Sequence, residues 1–141
     1  MSVLIVTGSC GLIGSQCVLS LNKEFDLIIG IDSDKRRFFF GKEGSIIKTK
    51  KKLLNEIDNY IHYDNDLIDT DKISKIFKKY NKDIKCIIHT AAQPSHDWAS
   101  KNIIEDFKTN TFATLLLLEN FRMFSPKAVS YTHLTLPTMY T

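Results

Sequence analysis

Apolar positions along the chain come in short unbroken runs separated by stretches of helical spacing. Residues 2–6 (SVLIV) form the first such run, the signature of a strand buried on both faces. A glycine-rich stretch, Thr7 to Gly14, follows it. Residues 12–22 then read as a helix, with Ile13, Cys17 and Leu21 on one side. A second buried strand is predicted over residues 27–31 (LIIGI), ending on Asp32. Residues 34–45 read as irregular; residues 46–58 carry helical spacing, and residues 60–63 a third strand leading into Asp66. Thr70 is the predicted N-cap of a helix through Ile73, Ile76, Phe77 and Tyr80. A fourth strand covers residues 84–88, and one long helix runs from about residue 102 to residue 124.

Strands alternating with helices imply βαβ units, and hence a parallel sheet with right-handed crossovers. The expected class is α/β: a doubly wound parallel sheet of Rossmann type. It is truncated, with about four strands where such sheets often have six or more. A chain of 141 residues suffices for one domain with an apolar core. Its 43% hydrophobic and 25% charged residues are ordinary for a globular protein.

The net charge of +3 is spread among acids. The densest basic cluster, Lys48 with Lys50, Lys51 and Lys52, reads as a solvated helix face, and no nucleic-acid partner is expected. Cys10, Cys17 and Cys86 make no CxxC pair, so small buried thiols are expected rather than a disulfide framework or metal site. No apolar run approaches the roughly 20 residues that span a bilayer. The N-terminus also lacks a basic signal-peptide start, and a cytoplasmic location is the default.

The chemistry concentrates in TGSCGLIG. Gly8, Gly11 and Gly14 stand directly after a strand and at the start of a helix, where a diphosphate meets unpaired backbone N–H groups and the positive end of the helix dipole. Gly8 allows the tight turn, Gly11 close approach of the ligand, and Gly14 close packing of helix on strand. The spacing is one residue longer than G-x-G-x-x-G. Asp32, at the end of the second strand, suits the ribose hydroxyls of NAD and repels the extra phosphate of NADP; Arg36 and Arg37 in the next segment argue the other way. Asp66 reads either as an adenine contact, with Leu67, or as a turn-forming acid. The Phe38-Phe39-Phe40 run reads as loop packing first and as a wall of a binding site second. His89 reads as a hydrogen-bonded structural histidine and Trp98 as a packing anchor.

The TGxxGxxG loop resembles that of the extended short-chain dehydrogenase/reductase family of NAD-dependent sugar-nucleotide epimerases and dehydratases. The string HTAAQPSHDWA from His89, RRFFFG from Arg36 and DFKTN ending on Asn110 resemble the CDP-paratose (CDP-tyvelose) 2-epimerase group within it. The resemblance covers residues 1 to about 127. It implies NAD contacts from Gly8, Gly11, Leu12, Ile13 and Gly14, ribose contacts from Asp32 and adenine contacts from Asp66 and Leu67. It implies further cofactor contacts from Ala91, Ala92, Gln93 and Asn110, the last near the nicotinamide. Pro94, Ser95 and His96 would face the sugar, with His96 orienting its loop or binding phosphate rather than acting in acid–base catalysis. A nucleotide-sugar substrate and a homo-oligomer are implied for the complete enzyme. One departure stands out: Ala113-Thr114 occupies the place of the family's Gly-Thr.

In this family a Tyr-x-x-x-Lys supplies the acid/base tyrosine, and NAD takes a hydride from the sugar and returns it. None of Tyr60, Tyr63, Tyr80, Tyr131 and Tyr140 has a lysine four residues on, so no catalytic residue is expected in these 141 residues. Residues 129–141 open on VSYTHLTLPT, which resembles a translated sequencing adapter. The expected organisation is therefore a partial NAD-binding domain over residues 1–128 and a non-native tail over residues 129–141.

Overall fold

The computed structural model describes residues 1–93, 95–125 and 129–130; Pro94 and the adapter-like residues 131–141 lie outside the described residues. The strands are β1 (Val3–Thr7), β2 (Leu27–Asp32), β3 (Tyr60–Asp64), β4 (Ile84–His89) and the two-residue β5 (Val129–Ser130). They form one sheet in the order β3-β2-β1-β4-β5, every pairing parallel. Beside the four strands expected, β5 adds a short fifth against Cys86 and Ile87, at the first two residues of the expected tail.

The alternation of β1 explains the layering. Val3 and Ile5 face one side, where they meet Ile73, Ile76 and Phe77 of α4 (Thr70–Tyr80) and Leu117 of α7 (Ala113–Phe124). Leu4 and Val6 face the other, against Val18 of α1 (Leu12–Leu21) and Leu53 of α3 (Ile47–Glu56). Every residue of β1 is buried, as continuous apolar strands of a doubly wound sheet must be. Turns at the C-terminal ends of these strands gather at one edge, where ligands of open α/β sheets bind.

Three local expectations are corrected. Residues 34–45 are not irregular: α2 (Lys35–Phe40) and a short 3-10 turn (Lys42–Gly44) fill most of them. The stretch has no 3.6-residue periodicity to read, because α2 is short and none of its residues is buried. The Asp34 carboxylate before it accepts from the Ile46 N–H and the Ser45 hydroxyl, both at 2.9 Å. The N-cap of α4 is Asp69, which accepts from the Lys72 N–H, and Thr70 is its first helical residue. The single long helix is three pieces, α6 (Ile103–Phe107), a π-helical turn (Lys108–Phe112) and α7, preceded by α5 (His96–Lys101). A π turn inserts one residue per turn and re-aims what it carries, here Thr109 and Asn110.

His89 is structural, as expected. Thr114 Oγ donates to the Asn110 carbonyl at 2.6 Å, so His89 Nε2–H donates to Thr114 Oγ at 3.0 Å and Nδ1 accepts from Thr7 Oγ at 2.6 Å. Burial pushes its pKa down, and also that of His62. The unfolded chain therefore takes up protons below about pH 6.5 that the folded chain refuses, so stability is full above that pH and is lost as pH falls through it. We expect the melting temperature to fall from pH 7 to pH 5, and less steeply in a His89→Gln chain. Identical slopes for the two chains would contradict this.

Candidate functional site

A cavity of about 250 Å³ opens at the C-terminal edge of β1, β2 and β4. Its floor is the glycine turn. Gly8 holds φ +64°, in the left-handed region, and a Cβ there would stand 2.7 Å from the Ala91 nitrogen. A Cβ on Gly14 would stand 2.1 Å from the Gly8 carbonyl oxygen, so α1 packs closely on the turn itself, where packing on the strand was expected. Gly11 is different: a Cβ there would meet only the Gly8 carbonyl oxygen, at 3.2 Å, so the space it leaves is open to a ligand.

At α1 the N-cap is Gly11, with no side-chain hydrogen bond, and no acidic side chain stands in the first turn. Its leading N–H groups thus stand at the cavity wall uncapped, with the positive end of the helix dipole behind them. Leu12, Ile13 and Gly14 line the cavity at that point.

Asp32 lines the cavity from the end of β2. Its Oδ2 accepts the Cys10 N–H at 3.1 Å, and backbone N–H groups of Ser33 and Asp34 also turn towards it. Burial nevertheless raises its pKa, since desolvation outweighs those bonds. Asp66 and Leu67 form the far wall. Asp66 forms its own turn, Oδ1 accepting the Ile68 N–H (3.3 Å), while Oδ2 meets Lys35 Nζ at 2.8 Å beside the cavity. Lys35 also reaches Glu105 at 2.8 Å, tying α2, the turn after β3 and α6 together across one side of the cavity.

Ala91 and Ala92 line the opposite wall. Gln93, Ser95, His96 and Asn110 do not line it. Gln93 and Asn110 instead grip each other: Asn110 Oδ1 accepts the Gln93 N–H at 2.7 Å, and Asn110 Nδ2 donates to the Gln93 carbonyl at 3.3 Å and to Asp106 at 3.0 Å. The Gln93 side chain turns the chain on through Ser95, whose hydroxyl caps α5 at the Trp98 N–H. His96 is exposed on the first turn of that helix and Pro94 lies outside the described residues. Asn110 thus orders the segment after β4.

The phenylalanine run serves both purposes. Phe39 packs edge-on against Trp98 (4.5 Å between centroids), as does Phe38 (5.9 Å), which gives Trp98 its anchoring role; Phe39 and Phe40 also line the cavity. Sequence reasoning missed Lys35, Thr109 and Ala113 on the wall. The last answers the departure from Gly-Thr: Ala113 is buried, its methyl shared between the core and the cavity. Of the two arginines, Arg36 lines the cavity, its guanidinium 5.6 Å from the Phe40 ring centroid. Among the described residues, no three His, Cys, Asp or Glu side chains cluster to hold a metal. No helix among them is long and apolar enough to cross a membrane.

Residues 4–134 match the NAD dependent epimerase/dehydratase family. The chain belongs to that family. Similar relatives include a UDP-glucose 4-epimerase of Erwinia amylovora, 29% identical over 122 residues, and a dTDP-D-glucose 4,6-dehydratase of Dictyostelium discoideum, 30% identical over 128. These alignments cover 86% and 91% of the chain but only 33% and 28% of the relatives, so the chain spans about a third of their length. Among solved structures, a UDP-glucose-4-epimerase from Stenotrophomonas maltophila with bound NAD superposes with TM-score 0.70 at 19% identity, over 86% of this chain and 34% of that one. That likeness shows the Rossmann-type fold. NAD is the cofactor of the epimerase/dehydratase family, and the uncapped N–H groups, the open face of Gly11 and the Asp32 carboxylate on one cavity fit its adenosine diphosphate half.

Proposed function

We propose that this chain is the NAD-binding N-terminal part of a sugar-nucleotide epimerase that acts, when complete, on a CDP-linked deoxyhexose in the manner of the CDP-paratose 2-epimerases. The observation that carries the NAD half is the uncapped start of α1 facing Asp32 across one cavity. Gly8, Gly11, Leu12, Ile13 and Gly14 would hold the diphosphate, Asp32 the ribose, and Asp66 and Leu67 the adenine. Ala91 and Ala92 leave room for the dinucleotide along the strand ends. Asn110 and Gln93, by their mutual hydrogen bonds, would set the segment in which Pro94, Ser95 and His96 face the sugar. Bound NAD would supply transient oxidation of the sugar.

The CDP-sugar half rests on the resemblance of HTAAQPSHDWA. A related 4-epimerase or 4,6-dehydratase is the second reading, favoured by the relatives of those activities. No Tyr-x-x-x-Lys occurs in the 141 residues, so we expect no epimerase turnover from this chain. Conversion of CDP-paratose by the purified chain would refute that. The proposed boundary at residue 128 is checked by genomic DNA from an independent library. We expect a sequence unlike VSYTHLTLPT beyond that codon, leading to a Tyr-x-x-x-Lys; VSYTHLTLPT read again at that place would refute the boundary.

A further inference from the structure

Beneath the glycine turn lies a buried polar cluster that the proposed cofactor contacts do not use. Tyr60 starts β3, two strands away from β1, yet its hydroxyl reaches Ser9 Oγ in the turn at 2.9 Å. Its route passes over β2 at Gly30. A Cβ on Gly30 would stand 2.1 Å from the Tyr60 hydroxyl oxygen and 2.5 Å from Ser9 Oγ, so the bond exists only because residue 30 has no side chain. On its other side the hydroxyl meets His62 Nδ1 at 2.9 Å. Ser9 is fully buried, Tyr60 5% exposed, and the His62 side chain 1% exposed.

Burial pushes the Tyr60 phenol well above its ordinary range and His62 below its own, so Tyr60 keeps its proton. The Tyr60 hydroxyl shares one hydrogen bond with Ser9 Oγ and another with His62 Nδ1. His62 Nε2 stands 3.2 Å from Asp64 Oδ1, out of line for a hydrogen bond, while Asp64 is held by Lys50. Cys10 Sγ lies 3.7 Å from His62 Nδ1, but burial raises its pKa to about 11; it stays a thiol, and the Cys–His pair is not a nucleophilic dyad.

The turn is thus tied from below at two consecutive residues. The Cys10 N–H is held by Asp32, and the Ser9 side chain by Tyr60. We propose that Tyr60 is a positioning residue for the diphosphate: through Ser9 and across Gly30 it fixes the backbone of the glycine turn in the shape that receives the phosphates. This rests on the reading that the turn binds NAD. Buried hydrogen-bonding groups set in an otherwise apolar layer are costly to leave unpaired, and removing one partner frees the other to move the turn.

The test separates phosphate from adenosine. In the 141-residue chain, affinities for ADP and for adenosine are measured by titration calorimetry, with the melting temperature followed in parallel, for the unaltered chain, Tyr60→Phe and Ser9→Ala. Tyr60→Phe keeps the ring and loses only the hydroxyl. We expect ADP affinity to fall about tenfold in both variants and adenosine affinity to stay unchanged. Ser9→Ala removes the same bond from the turn's side and stands in if Tyr60→Phe does not fold. An equal loss for both ligands, or an unchanged ratio of ADP to adenosine affinity, overturns the inference and leaves the NAD reading standing. An unaltered chain that binds neither ligand overturns both.

Discussion

An Asp32→Asn chain is expected to bind NAD about ten- to a hundredfold more weakly than the unaltered chain while melting at the same or a higher temperature. The two halves have one cause. Asp32 lies in a largely desolvated place, where burial outweighs the N–H groups that it accepts, so its pKa is raised. A raised folded pKa favours the fold below the unfolded value, and that benefit is lost as pH rises through the folded one, so the ionised carboxylate costs stability. Asparagine removes the charge and keeps an oxygen for the Cys10 N–H. The charge is what the ribose hydroxyls need: a charge-assisted hydrogen bond is worth about 1.5–3 kcal/mol, which sets the expected loss. Discrimination against NADP should narrow as well, since the carboxylate no longer repels a 2′-phosphate and Arg36 lines the same cavity. Calorimetric titration with both dinucleotides, beside thermal melts, checks all three. Unchanged NAD affinity with a lower melting temperature would make Asp32 a structural acid.

Gly14→Ala should be strongly destabilising. Its methyl would lie 2.1 Å from the Gly8 carbonyl oxygen, 2.8 Å from the Gly8 carbonyl carbon and 2.9 Å from Ser9 Cα. All three are backbone atoms of a turn held by Asp32, Tyr60 and the Ile31 carbonyl, and none can swing aside as a side chain would. Overpacking of this kind costs about 1–3 kcal/mol and sometimes more. In a domain of this size that lowers the melting temperature by roughly 3–5 °C per kcal/mol. We expect a fall on the order of 10 °C together with loss of NAD binding. Gly41→Ala is the control: its φ of +73° carries the backbone penalty of an L-residue, but no atom lies within 4 Å of the added Cβ. A Gly14→Ala melt no lower than that of Gly41→Ala would contradict the packing account.

The sheet, the glycine turn and the acid after β2 were legible because each is a local pattern: unbroken apolar runs, a glycine triplet, a carboxylate at a strand end. Features set by contacts distant in sequence were not. The helix through Lys35–Phe40 carries no amphipathic period, since its aromatic residues divide between Trp98 and the cavity. The break at Asn110 follows from its grip on Gln93, seventeen residues earlier, which helical spacing cannot reveal. The N-cap of α4 went to Asp69 rather than the adjacent Thr70, a choice between two good caps that only the turn after Asp66 decides. Tyr60 read as one more strand residue, because its reach over Gly30 depends on the lateral order of β3, β2 and β1. The exposed apolar side chains of Leu12 and Ile13, at the mouth of the cavity, needed the cavity itself for their reason.

If the glycine turn, the start of α1 and Asp32 together form an NAD site, titration of the purified 141-residue chain with NAD gives saturable binding. The expected result is one NAD per chain, with NADP weaker and ADP competing. Absence of NAD binding at millimolar concentration, in a chain whose melt shows it to be folded, would contradict it.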